Sequence, residues 1–178
     1  MKFIQMFSAI LLIGTMSSCS PLEQVDVLIV GAGTSGTAAG MQAARMGVKT
    51  MVLEETPWIG GMLTSAGVSC VDGNNRLRSG IFGEFADSLV ARYGSNEALK
   101  SGWVSNINFD PHIGQDILTN MTESCGDVLD VRRETVVLDV LAEEGDWVVT
   151  FRDKNGRKSR VIADVLIDAT ELGDIAKE

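Results

Sequence analysis

The segment from Val25 to Gly61, VDVLIVGAGTSGTAAGMQAARMGVKTMVLEETPWIGG, constrains this chain more than any other. A short apolar run, Val27 to Val30, leads straight into Gly31-Ala32-Gly33-Thr34-Ser35-Gly36. An Ala- and Met-rich helical segment follows, then a second apolar run, Thr50 to Leu53, that ends on Glu54. The order strand, glycine turn, helix, strand, acid predicts a parallel β-α-β unit that binds the ADP half of a dinucleotide. Gly31 allows the sharp turn out of the first strand. Gly33 lets the backbone approach a pyrophosphate closely, and Gly36 lets the helix pack tightly on the strands. The helix start, with Thr34 and Ser35 in its first turn, presents unpaired N–H groups and a partial positive charge to the phosphates. Gly40 keeps a small residue on the same helix face one turn later. Glu54 lies 18 residues after Gly36 and can accept hydrogen bonds from ribose hydroxyls. An acid there disfavours a 2′-phosphate, so NADP is a poor fit. A bare GxGxxG also occurs in glycine turns without a ligand; the strand, helix and acid around this one argue against that reading.

The 178 residues, 45% apolar and 22% charged, have an ordinary globular balance and allow one domain or slightly more. A net charge of −9 argues against nucleic acid, which needs a basic patch. The first residues read as a targeting segment. Lys2 forms a short positive start, Phe3 to Gly14 is a mostly apolar stretch of 12 residues, and Met16-Ser17-Ser18-Cys19 follows. Such a stretch is too short to span a bilayer comfortably. Small residues before a Cys look like a bacterial lipobox, which would make Cys19 the lipidated N-terminus; an ordinary cleaved signal peptide and an uncleaved anchor are the alternatives. The chain then divides into a signal peptide over 1–19, a linker over 20–24 and a dinucleotide-binding domain over 25–178. Export through a lipobox places the protein on the cell envelope, with Ser20 pointing to the outer membrane, and a lipid anchor as its membrane contact. The segment has no twin-arginine pair, so export would be unfolded, which favours a tightly held cofactor over a diffusible one. Cys70 and Cys125 sit in no CxxC motif; in an oxidising compartment they could pair, but nothing in the sequence places them together, and they read as two buried free thiols.

Further along, Gly80 to Gly94 predicts an amphipathic helix with Ile81, Phe82, Phe85 and Leu89 on its apolar stripe and Gly94 as its cap. Leu63 to Arg78 and the stretch from Gly94 to Phe109 read as loops. Asp110-Pro111 is a helix start, with Ile113, Ile117 and Met121 on one face. His112, the only histidine, falls in that first turn and reads as a surface or cap residue. Val128 to Val131 predicts a short strand. Thr135 to Leu141, Trp147 to Phe151 and Ser159 to Ile162 predict an antiparallel meander, with a turn at Asn155-Gly156. Ala163 to Thr170 predicts a separate buried strand running into a polar turn.

Together these pieces resemble the FAD-dependent oxidoreductases with a glutathione-reductase-type FAD fold, and in particular exported bacterial members. Four features carry the likeness: the glycine motif with Glu54, Gly60-Gly61-Met62 just after it, Phe109-Asp110-Pro111 followed by the short strand and meander, and Ile167-Asp168-Ala169-Thr170-Glu171-Leu172-Gly173-Asp174. The last is similar to the family's Ala-Thr-Gly motif, with Glu171 where many relatives have Gly. The resemblance implies an α/β, Rossmann-like FAD/NAD(P)-binding domain: a parallel sheet plus a three-stranded antiparallel meander, incomplete at the C-terminus. It implies FAD as cofactor and a small-molecule or glycan-derived substrate. Gly31, Gly33 and Gly36 would cradle the pyrophosphate, with Thr34 and Ser35 beside it, and Glu54 would bind the adenosine ribose. Gly60, Gly61 and Met62 would lie along the ribityl chain and phosphate, Val137 would offer backbone to adenine, and Ala169 and Thr170 would line the same cleft. His112 has no second His or Cys at ligand spacing, so no metal site is expected, and no residue stands out as a catalytic acid or base. A substrate domain would lie beyond Glu178. The implied function is flavin-mediated hydride transfer, with a non-catalytic dinucleotide-binding remnant and a lipoprotein accessory or lyase in polysaccharide breakdown as alternatives.

Overall fold

A computed structural model describes residues 22–72, 76–103 and 105–177. Cys19 and the residues expected to form a targeting segment lie outside them. The first strand, β1 (Glu23–Val30), starts two residues before Val25, and leads through the glycine turn into α1 (Thr34–Arg45) and β2 (Thr50–Leu53). Helices α2 (Gly80–Tyr93) and α3 (Pro111–Glu123) follow, then β3 (Leu129–Arg132), β4 (Val136–Glu143), β5 (Asp146–Arg152) and β6 (Lys158–Asp168). The helix boundaries follow their punctuation. Gly94 takes a left-handed φ of 87° and closes α2. Asp110 caps α3 by accepting the backbone N–H of His112, with Pro111 at the first helical position.

The strands form one mixed sheet in the order β3-β2-β1-β6-β5-β4. β1 pairs in parallel with β2 and β6, and β2 with β3. β4-β5 and β5-β6 are antiparallel. One element departs from the sequence reading. Ser159–Ile162 and Ala163–Asp168 are not two strands but the single strand β6, whose residues Lys158 to Ala163 pair with β5 on one edge while Val161 to Asp168 pair with β1 on the other. No glycine or proline interrupts Lys158 to Asp168, so the extended backbone runs unbroken where the pairing changes.

Two apolar clusters cover the two faces of the parallel strands. On one face Ile29, Val52 and Leu129 pack under Met41 of α1, Phe85 and Leu89 of α2, and Ile117, Leu118 and Met121 of α3. On the other, Leu28, Met51 and Leu53 meet Val149 and Phe151 of β5 and Val161 and Ala163 of β6. The alternation of side chains along each strand makes this division: Leu28 and Ile29 are neighbours in sequence and face opposite layers. The meander therefore serves as the second covering layer, where a doubly wound sheet would carry helices. The stretch between α2 and α3 is more than a surface loop. It contains the 3-10 turn Glu97–Leu99 and buries Leu99 and Ile107 completely in the helical layer. Cys70 and Cys125 are free thiols, partly rather than fully buried.

Candidate functional site

Strand register brings the site together. Val30 pairs with Leu53 on one side and Asp168 on the other, and Leu53 pairs with Arg132. The next residues, Gly31, Glu54, Ala169 and Arg133, therefore leave the sheet side by side at its carboxyl edge, where open α/β sheets bind ligands. Backbone bonds tie these exits together: Gly31 N–H donates to the Leu53 carbonyl at 2.8 Å, Ala169 N–H to Val30 at 2.8 Å, and Glu54 N–H to Arg132 at 2.8 Å.

The three glycines of the turn have three separable jobs. Gly31 sits at φ +95°, and a Cβ there would lie 2.5 Å from the Ala169 carbonyl oxygen. A Cβ on Gly36 would lie 1.9 Å from the Gly31 carbonyl oxygen. Both are packing requirements within the protein. Gly33 differs, because a Cβ there would meet no atom within 4 Å. Open space lies beside the N-terminus of α1, whose N-cap, Gly33, makes no side-chain cap hydrogen bond. Thr34 and Ser35 are exposed there. A pyrophosphate fits this arrangement: room at Gly33, and N–H groups of the first turn for its oxygens. Further back, Gly40 packs the helix on the sheet, where a Cβ would come 2.8 Å from Val52 Cγ2.

A second glycine pair closes the cradle. Gly60 and Gly61 both have positive φ, 99° and 53°. Gly60 N–H donates to the Ala32 carbonyl at 2.7 Å, and the Thr34 hydroxyl donates to the Gly60 carbonyl at 3.0 Å. A Cβ on Gly61 would sit 3.0 Å from Gly33 Cα. Met62 follows in a single 3-10 turn and is exposed.

Glu54 is buried, and both its oxygens are engaged by backbone. Oε2 accepts the Ala32 N–H at 2.6 Å, and Oε1 accepts the Thr56 N–H at 2.8 Å. The carboxylate thus braces the glycine turn, and each oxygen retains a lone pair for a ribose hydroxyl. On the far strand, Asp168 organises the turn after β6. Its Oδ1 accepts the Thr170 hydroxyl at 2.6 Å and the Thr170 N–H at 3.0 Å, and its Oδ2 accepts the N–H groups of Ile175 and Ala176. Burial alone would raise its pKa; the Thr170 hydroxyl and the three N–H donors together outweigh it and hold the carboxyl below its ordinary value. Ala169 and Thr170 therefore stand at the cradle in a defined turn.

Gly31, Gly33, Thr34, Ser35, Gly36, Glu54, Gly60, Gly61, Met62, Ala169 and Thr170 lie on the connected segments that leave this edge of the sheet. Val137 lies in β4, beyond the exit beside Arg133, with its side chain against the meander core. His112 projects from the start of α3 into solvent, edge-on to Trp58 with ring centroids 4.7 Å apart. A groove of ≈ 610 Å³ lies elsewhere, lined by Leu22, Glu23, Arg132, Phe151 and Arg157 among others. Arg132 is paired with Glu23 and Asp130, and Arg157 with Asp153, so two of its charges are already compensated. None of the cradle glycines lines it, and it reaches the carboxyl edge through Arg133 and Thr135.

Three supports of the cradle escaped the sequence reading: the Ala32 and Thr56 N–H groups on Glu54, the buried Thr64 hydroxyl, which donates to the Ile59 carbonyl, and the buried side chain of Gln115. Gln115 accepts the Ile59 N–H at 2.9 Å. A signal for it exists, since Leu118 and Thr122 extend the apolar face of α3 onto its side of the helix.

The family described as FAD dependent oxidoreductase matches residues 26–178. The alpha subunit of sarcosine oxidase from Corynebacterium sp. (strain U-96) is 48% identical over 48 residues, covering 27% of this chain and 5% of that protein. Mitochondrial dihydrolipoyl dehydrogenase of Dictyostelium discoideum is 33% identical over 72 residues, covering 40% of this chain and 14% of that one. Among solved structures, a flavoprotein/dehydrogenase from Cytophaga hutchinsonii superposes with a TM-score of 0.63 at 22% identity, over 86% of this chain and 40% of that one. The chain spans only a small part of the length of the curated relatives it matches. With the family matching nearly its whole described length, and with a glycine cradle at the carboxyl edge of its sheet, this chain belongs to the FAD dependent oxidoreductase family and has FAD as its cofactor.

Proposed function

We propose that this chain holds FAD for an oxidoreductase acting on a small organic or glycan-derived substrate. The observation that carries the reading is the level register of Gly31, Glu54 and Ala169, with open space at Gly33 between them. When bound, FAD supplies the redox step, taking hydride from the substrate. The chain's own residues bind and orient. The first-turn N–H groups of α1 and the backbone at Gly33 hold the pyrophosphate. Glu54 takes the ribose hydroxyls on the lone pairs that Ala32 and Thr56 leave free. Gly60, Gly61 and Met62 flank the ribityl chain and the adjoining phosphate, Ala169 and Thr170 close the opposite side, and Val137 backbone meets adenine. The proposal extends to the cell envelope, with Cys19 carrying a lipid. Purified full chain incubated with FAD and desalted is expected to keep flavin absorbance near about 450 nm. Loss of that band on desalting would count against the reading. For the anchor, a lipid-analogue label is expected on the parent and not on Cys19→Ser; equal labelling sinks it.

A second reading is a dinucleotide-binding unit without turnover. It is favoured by the two carboxylates at the cradle, Glu54 and Asp168, both of which are already engaged by backbone N–H groups rather than poised for proton transfer. Reduction of the bound flavin by any candidate substrate, followed as bleaching of the same band, would exclude it.

A further inference from the structure

We propose that Gln115 of α3 is a positioning residue for FAD, acting through the Ile59-Gly60-Gly61 loop. This rests on FAD as the cofactor and on the place of Gly60-Gly61 beside the pyrophosphate. The Gln115 side chain is buried, and its Oε1 accepts the Ile59 N–H at 2.9 Å, across 56 residues of sequence. Its Nε2 donates to the Thr119 hydroxyl at 3.1 Å, and the same oxygen accepts from Arg133 Nη2 at 2.9 Å. The Ile59 N–H requires an acceptor and Thr119 receives a donor, so the amide has one orientation.

What this relay joins gives it a function. At one end Arg133 follows β3, level with Glu54, and the next two residues bond to the Glu54 strand end: Glu134 N–H to the Thr56 carbonyl and Thr135 N–H to the Glu54 carbonyl. At the other end Ile59 is followed by the two left-handed glycines that abut Gly33 and Thr34. The Thr64 hydroxyl holds the Ile59 carbonyl from the opposite side. Ile59 is therefore clamped at both its N–H and its carbonyl, and the Gly60-Gly61 backbone leaves from a held residue. Two adjacent glycines with positive φ have wide conformational freedom. Without the clamp, the loop would have to be ordered at the expense of binding, and FAD affinity would fall. The relay couples the ribose side of the cradle to the ribityl side through α3.

The test is a titration of flavin-free full chain with FAD, followed by flavin fluorescence well below each variant's melting temperature. Gln115→Leu removes both hydrogen bonds at similar volume and is expected to raise the FAD Kd about tenfold, the usual worth of such a bond. Gln115→Glu keeps an acceptor for Ile59 and is expected to recover most of that loss. A purely structural role would lower the melting temperature and leave the Kd of the folded protein unchanged, and an unchanged Kd overturns the proposal. Should Gln115→Leu fail to fold, Thr119→Val releases the amide from the other end. It is expected to raise the Kd about threefold or more, and a parental Kd overturns the proposal equally. A parent chain that takes up no FAD overturns the cofactor assignment and this proposal with it; a parent and variants that bind alike overturn the proposal alone.

Discussion

At the residue scale, glycines that look alike in GxGxxG do different work, and a single added methyl group separates them. At Gly36 the methyl would press on the Gly31 carbonyl oxygen, backbone that cannot swing aside. Gly36→Ala is therefore expected to destabilise the flavin-free protein by about 3 kcal/mol or more. At Gly33 the methyl would enter empty space and φ is −60°, which alanine adopts readily. Gly33→Ala is expected to cost about 1 kcal/mol or less, the usual difference between the two residues at an N-cap, while FAD affinity falls at least about tenfold because the methyl occupies pyrophosphate space. Urea midpoints of the flavin-free variants and FAD titrations check the pair. The outcome that would sink the division of labour is Gly33→Ala losing stability as Gly36→Ala does, or keeping parental affinity. Glu54 gives a companion prediction. Glu54→Gln places an amide NH2 against the Ala32 or Thr56 N–H, two donors facing each other, and is expected to cost about 1–3 kcal/mol before any ligand is added. A urea midpoint equal to the parent's would show that the carboxylate does not brace the turn.

At the scale of elements, two carboxylates organise segment ends and make those ends acid-sensitive. The backbone N–H of His112 holds the Asp110 carboxyl below its ordinary value, against opposing burial, with the His112 ring adding to the effect. Asp168 is lowered in the same direction by Thr170 and the N–H groups of its turn. A folded value below the unfolded one means that ionisation contributes stability above the unfolded carboxylate value, about pH 4, and that this contribution is lost as pH falls through the lower folded values. The start of α3 and the turn after β6 are thus expected to loosen together below about pH 4. An Asp110→Asn/Asp168→Asn double variant, less stable at neutral pH, is expected to show a shallower decline of the urea midpoint between about pH 5 and pH 2.5. Parallel declines in parent and variant would refute this. How these elements were legible differs. Helix α3 was readable from Asp110-Pro111, and α2 from Gly94, because caps are local chemistry. β6 was misread as two strands because a change of pairing partner leaves no mark on an extended backbone. The role of Gln115 was hidden for the same reason: its partner, Ile59, is 56 residues away.

At the scale of the molecule, sequence periodicity marked the apolar strands but not which layer each side chain would meet. Leu28 and Ile29 are equally apolar, and only the assembled fold sends one to the meander and the other to the helices. This sharing has a thermodynamic consequence. β1 and β2 supply residues to both clusters, and β6 joins the meander to the parallel strands, pairing with β5 over its first half and with β1 from Val161 to Asp168. Neither layer can lose its packing without stripping one face of the same two strands, so the described fold is expected to unfold as one cooperative unit. Tryptophan placement allows a direct check. Trp147 pairs with Ala163 in the meander, Trp58 stands in the loop that leads to Gly60, and Trp103 is fully exposed and reports little of either. Fluorescence of Trp147→Phe then follows the cofactor loop, and that of Trp58→Phe follows the meander. Their urea transitions are expected to superimpose once each is normalised to its own circular dichroism curve. FAD, bound at the carboxyl edge of the parallel strands, is expected to shift both probes together, by about 2.7 kcal/mol at one hundred times its Kd. A meander transition that precedes the other, or that FAD leaves in place, would mean that β6 transmits no stability between the layers.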